Sequence, residues 1–170
     1  MRPLAFVDLE TTGSNASLDR ITEIGVILVD DTGVEEWTSL VHPGCRIPAF
    51  IQSLTGISDA MVADAPPFED LAPRLHQMLE GRLFIAHNAR FDYGFLKQSF
   101  RRAGSDFRIQ TLCTVRLSRA LYPGHRHHNL DALIARHDLV ISDRHRALGD
   151  ARLIHKFWQQ ASTAVSESEF

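Results

Sequence analysis

Asp8 and Glu10 stand at the end of a short apolar run, Leu4 to Val7, and are followed by Thr11-Thr12-Gly13. A run of this kind reads as a β-strand. On a strand Phe6, Asp8 and Glu10 share one face, and Ala5, Val7 and Leu9 line the other. Two carboxylates aimed at one spot on a buried strand end repel each other and lose hydration unless a cation joins them. A hard divalent ion with oxygen ligands answers that need. The small polar turn that follows lets backbone approach a ligand closely. In a chain with 13 Asp and 8 Glu such a pair also arises by chance, so these residues alone leave both a functional site and an ordinary strand end open.

Three more side chains could join them. Asp92 falls in the first turn of a helix that follows the apolar segment Leu83 to Ala86, and Asp150 falls near the start of the last helix. Acids at such positions also arise simply because they favour the helix dipole, by roughly 0.3 to 1 kcal/mol. His145 precedes Asp150 in a polar loop, where a surface histidine and a proton carrier look alike.

The elements that position these residues follow from the apolar spacing. Arg20 to Asp30 is β-branched and apolar and reads as a long central strand. Asp30-Asp31-Thr32-Gly33 is a turn, and Val34 to Val41 a third strand, which completes an antiparallel meander. Ile47 to Phe68, with Pro48, Pro66 and Pro67, is a long excursion with one short helix and a cap at Ser58. Helices are expected over Phe68–Glu80, Ala89–Ala103 with Asn88 as its cap, Cys113–Tyr122, Asn129–Arg136 and Ala147–Ala161. Strands are expected over Leu83–Ala86 and Phe107–Thr111. Three antiparallel strands followed by alternating helices and strands predict an α/β fold with a mixed sheet.

Length and a 44% apolar composition fit one domain, residues 1–161, with a polar, frayed tail over 162–170. Without a run of 18 apolar residues or a signal-peptide pattern, a soluble cytoplasmic chain with no membrane association is the expectation. Cys45 and Cys113 read as unpaired, partly buried packing residues. The net charge of −3 hides an asymmetry: Lys97 to Arg146 holds ten Lys or Arg against four Asp or Glu, a balance of +6, which leaves −9 for the remainder. A basic face on an acidic body suits a polyanion led into a metal-filled centre, although solvated basic helix faces would give the same count. His125-Arg126-His127-His128 lacks the spacing of a zinc motif and reads as a basic surface loop.

Taken together, Asp8-Leu9-Glu10, His87-Asn88-Ala89-Arg90-Phe91-Asp92 and His145-Arg146-Ala147-Leu148-Gly149-Asp150 resemble, in order and spacing, the three exonuclease motifs of the DEDD superfamily, histidine subclass. Within it the resemblance is to the proofreading epsilon subunits of bacterial DNA polymerase III. Leu54-Thr55-Gly56-Ile57 and Asn129-Leu130-Asp131-Ala132-Leu133 resemble its connecting segments, so the similarity covers residues 3 to 160. The resemblance implies a ribonuclease H-like fold, a five-stranded mixed β-sheet flanked by α-helices.

It also implies that Asp8, Glu10, Asp92 and Asp150 hold two divalent metal ions, Mg²⁺ or Mn²⁺, with Asp8 bridging and His145 as general base. Four clustered carboxylates agree with that ion count, since each neighbouring pair at about 4 Å repels by roughly 4 kcal/mol at an effective dielectric of 20. By the same resemblance Leu9, Thr11 and Thr12 would hold the terminal nucleotide. Asn88 and Phe91 would contribute to substrate binding, with helix-cap and core readings open for both. The implied activity is 3′ to 5′ hydrolysis of single-stranded or frayed DNA ends in proofreading or repair, with a DNA polymerase subunit as a candidate partner. RNA trimming and a catalytically inactive polymerase scaffold are the alternatives.

Overall fold

The computed structural model describes residues 1–140 and 142–168. Five strands, β1 (Leu4–Thr11), β2 (Ile21–Asp30), β3 (Gly33–Leu40), β4 (Leu83–Ala86) and β5 (Thr111–Cys113), form one sheet in the order β3-β2-β1-β4-β5. The β1–β2 and β2–β3 pairs are antiparallel, and β1–β4 and β4–β5 are parallel. This is the five-stranded mixed sheet of the ribonuclease H-like fold. Because β1, β4 and β5 run the same way, their C-terminal ends meet at one edge of the sheet.

Seven helices complete the described residues: α1 (Ala49–Thr55), α2 (Asp59–Val62), α3 (Phe68–Leu79), α4 (Ala89–Arg102), α5 (Thr114–Leu121), α6 (Leu130–His137) and α7 (Ala147–Ser168). The alternation along β1 divides them. Ala5, Val7 and Leu9 face a core that takes Leu75 and Leu79 of α3 and Phe95, Leu96 and Phe100 of α4. Leu4 and Phe6 face a second core with Leu133 of α6 and Ile154 and Phe157 of α7. The Phe6 ring meets His155 at 4.7 Å and Trp158 at 6.1 Å. Asp8 and Glu10, on the same side of β1 as Phe6, therefore look toward the first turn of α7.

Several boundaries differ from those the sequence predicts. Phe107 is not in a strand; its ring stacks on Phe100 at 4.5 Å in the α3–α4 core, and β5 begins only at Thr111. Cys113 accordingly ends a strand instead of opening a helix. The long excursion contains two helices, with the Ser58 side chain accepting from Met61 N at the start of α2. Helix α7 runs past Ala161 to Ser168, while residues 169 and 170 of the expected tail lie outside the described residues. Cys45 is exposed instead of packed, and Cys113 is half-buried; neither is in a disulfide. His128 is not a surface residue either: it is buried, with Nδ1 at 2.7 Å from Ser118 Oγ and Nε2 at 2.9 Å from His125 O. Among the described residues no helix is long and apolar enough to cross a membrane.

Candidate metal centre

Carboxylate oxygens of Asp8, Glu10 and Asp150 lie within 4.8 Å of one another. Three local devices bring them there. Strand alternation puts Asp8 and Glu10 on one face. Gly25, the partner of Asp8 on β2, lets α7 approach: a Cβ at Gly25 would stand 2.4 Å from Ala147 C and from Leu148 N. The third device is Glu23, opposite Glu10 on β2. It accepts from Ala147 N at 2.8 Å, satisfying an N-terminal amide of α7, and pairs with Arg146 through both oxygens.

Asp92 lies behind this trio. Ala89, Asp92, Phe95, Leu96, Ser99 and Phe100 form the buried stripe of α4, so the acid projects inward, and its Oδ1 accepts from Leu9 N at 3.2 Å. At 3% exposure Asp92 is not the solvated acid that a helix dipole alone would favour. Asp150, at 4%, is equally withdrawn. His145 adopts a left-handed backbone, φ 65°, and its N–H donates to Asp150 Oδ1 at 3.3 Å. Its Nδ1 lies 3.3 Å from Arg144 Nη1.

Burial sets the electrostatics. It holds the Asp8 carboxyl well above the usual carboxylate range, with Asp92, Asp150 and Glu10 adding to the shift. Burial, then Asp150, Glu23 and Asp92, push Glu10 up to about 8. Asp92 and Asp150 are raised by burial as well, against the Leu9 amide and the Arg144 guanidinium respectively. Carboxyls this reluctant to ionise together are short of positive charge. The donor set, all oxygen and anionic, fits a hard divalent cation, and the Asp8, Glu10 and Asp150 oxygens are the atoms placed to hold one.

The remaining expected residues fall in different settings. Thr11 Oγ1 donates to Gly13 O at 2.6 Å. Thr12 Oγ1 donates to Asp19 Oδ1 at 3.2 Å and accepts from Arg20 N at 3.0 Å. Both hydroxyls are thus engaged in shaping the turn. The Leu9 side chain is in the α3–α4 core, and Phe91 packs on Phe95 with ring centroids 4.8 Å apart. Asn88 stands at the N-cap position of α4 without a capping hydrogen bond. Its left-handed backbone, φ 64° and ψ 56°, replaces the extended conformation from which a cap side chain reaches the helix amides, and its amide group is left exposed.

Two contributors are not evident from motif spacing. Arg144 places Nη1 on Asp150 Oδ2 and Nε 3.0 Å from Asp131 Oδ1, so one guanidinium already lies against the acids. Glu23 gives a signal that can be read in sequence: an acid in the apolar interior of the strand Ile21–Asp30 needs a buried cationic or amide partner.

The exonuclease family RNase_T matches residues 5–157. The 3′-5′ exonuclease DinG of Staphylococcus haemolyticus is 37% identical over 149 residues, 86% of this chain and 17% of that protein. The PolC-type DNA polymerase III of Caldanaerobacter subterraneus subsp. tengcongensis is 36% identical over 146 residues, 85% of this chain and 10% of that one. The chain therefore spans less than a fifth of the length of these relatives. Among solved structures, Exonuclease X in complex with 5′ overhanging duplex DNA superimposes with a TM-score of 0.78 at 28% identity, covering 95% of this chain and 92% of that one. The zinc-bound E. coli ExoI–ssDNA complex shares the fold, with a TM-score of 0.84 at 19% identity over 96% of this chain and 41% of that one. With the family matched over nearly its whole length, the chain belongs to the RNase_T exonucleases.

Proposed function

We propose that this chain is a metal-dependent 3′ to 5′ exonuclease that removes nucleoside 5′-monophosphates one at a time from single-stranded or frayed DNA ends, in proofreading or repair. The observation that carries the reading is the convergence of Asp8, Glu10 and Asp150 within 4.8 Å, with buried Asp92 behind them, in a chain of the exonuclease family. Asp8, Glu10 and Asp150 would hold one divalent ion, and Asp8 with Asp92 a second, Mg²⁺ or Mn²⁺. Bound there, such ions supply Lewis acidity to the scissile phosphate and to the attacking and leaving oxygens. His145 takes the proton of the attacking water, a task suited to imidazole as a residue type and worth about 10²- to 10⁴-fold.

The turn at Thr11 and Thr12, with Leu9 beneath it, borders the 3′-terminal nucleotide. Exposed Asn88, with Phe91 beneath the same segment, borders the nucleotide before it. A larger chain or complex carrying a polymerase is the setting that the PolC-type relative suggests, and the cytoplasm is the compartment assigned to it in this reading.

Digestion of 5′-labelled single-stranded DNA and RNA of one sequence, with Mg²⁺, Mn²⁺ or EDTA, tests this. The expected result is a ladder that shortens from the 3′ end only with metal and faster on DNA, slowed about 10²- to 10⁴-fold in His145→Ala. No metal-dependent shortening of either polymer by the intact chain would overturn it.

A further inference from the structure

The C-terminal ends of β4 and β5 carry a cleft of about 770 Å³ beside the acidic centre. Its walls include Asn88 and Arg90 from the start of α4, Tyr93 one turn on, and Arg116 and Arg119 of α5. No carboxylate lines it. Arg90, Arg116 and Arg119 are exposed, and among the described residues none of their guanidinium groups makes an ion pair or hydrogen bond. Most other arginines near the sheet are engaged, as Arg82 is with Asp30, Arg144 with Asp150 and Arg146 with Glu23.

Arg116 and Arg119 are three residues apart on one helix, so their side chains are neighbours, and like charges so placed are mildly destabilising without an anion. Lys97 Nζ, 5.9 Å from the Tyr93 ring centroid, adds a further cation near the cleft. In open α/β sheets ligands collect at the carboxyl ends of the strands, and here that edge is divided. Acids stand at the end of β1, and unpaired cations stand over β4 and β5.

We propose that this cleft binds the phosphodiester backbone on the 5′ side of the nucleotide being removed, with Arg90, Arg116 and Arg119 each meeting a phosphate. The strand then runs from the cleft past Asn88 to the acidic centre. The inference rests on the exonuclease reading for its direction and on the cleft's charge for its ligand. A site of this kind grips the backbone without reading sequence, as cationic grooves for single strands do.

The test is fluorescence anisotropy of 5′-fluorescein oligo-dT and oligo-rU in EDTA, between 50 and 200 mM salt, so that nothing is cleaved. Arg116→Ala/Arg119→Ala is compared with Arg108→Ala/Arg152→Ala, which removes the same charge from residues paired with Asp106 and Glu36. The expected result is affinity about tenfold or more lower in the first variant alone, with the slope of log affinity against log salt reduced by about 1.4, or 0.7 per lost phosphate contact. Loss on both polymers identifies the shared backbone as the ligand, and loss on one names that polymer. An equal effect of the two variants, or no change in either, overturns the proposal. Failure of the exonuclease reading is seen separately, as intact strands after incubation of the unaltered protein with Mg²⁺.

Discussion

At the residue scale the centre is a set of carboxyls short of cations, and that shortage can be measured. With burial and mutual repulsion holding Glu10 at about 8, the metal-free native state keeps a proton that the unfolded chain has lost above its ordinary value near 4.5. Stability from this group is fully present below that value and is lost as pH rises through about 8. His87, whose burial lowers it to about 4, acts in the opposite sense: folding disfavours its charged form, so stability rises with pH from about 4 to its ordinary 6.5. The interval from pH 6.5 to 8 isolates the acids. Calorimetry in EDTA should show Tm falling across it, with the fall reduced in Glu10→Gln; a rising Tm would count against the electrostatic account. Arg144 is the other lever, since its guanidinium offsets part of the repulsion on Asp8, Glu10 and Asp150. Arg144→Ala should unfold more readily without metal and bind Mn²⁺ about tenfold more tightly, the equivalent of ~1.4 kcal/mol of relieved cation repulsion. Isothermal titration reads the second effect, and unchanged affinity would show that the guanidinium does not oppose the ion.

At the scale of elements the site depends on how closely α7 sits on β2. Gly25→Ala would drive a methyl group into the backbone of Ala147 and Leu148, where neither neighbour is a flexible side-chain end. An overpacking cost of about 1 to 3 kcal/mol is expected, together with weaker Mn²⁺ binding as Asp150 moves off Asp8; thermal melts and titration check the two. The strand face of Asp8 and Glu10, the antiparallel meander and the three acid-bearing segments were legible in the sequence, because period-two alternation, turn residues and helix spacing are local properties; the place of β4 beside β1 and of β5 at the edge was not. What local pattern could not supply was tertiary. Phe107 has strand propensity but finds its partner in Phe100, which displaces β5 toward Cys113. Asn88 has the composition of a cap but not the backbone angle. The engagement of Arg144 with Asp131 and Asp150 ties together the first turns of α6 and α7, whose proximity no spacing rule contains.

At the scale of the molecule the chain's charge is divided as its chemistry would require. Acids gather at the end of β1 and the start of α7, and uncompensated arginines gather over β4 and β5, so a polyanion can be drawn along one sheet edge toward the acids and the ions they would hold. The DinG and PolC-type relatives are several times longer, so the matching unit is one part of those proteins. The claim on which everything else depends is that Asp8, Glu10 and Asp150 hold divalent metal. Calorimetric titration of Mn²⁺ into the protein, and into Asp8→Asn and Asp150→Asn, tests it most directly. Saturable binding in the unaltered chain that weakens by at least about 100-fold in both variants, beyond the upper end of losses seen when only a ligand's supporting partner is removed, is the predicted result. Equal Mn²⁺ affinity in all three proteins would contradict it.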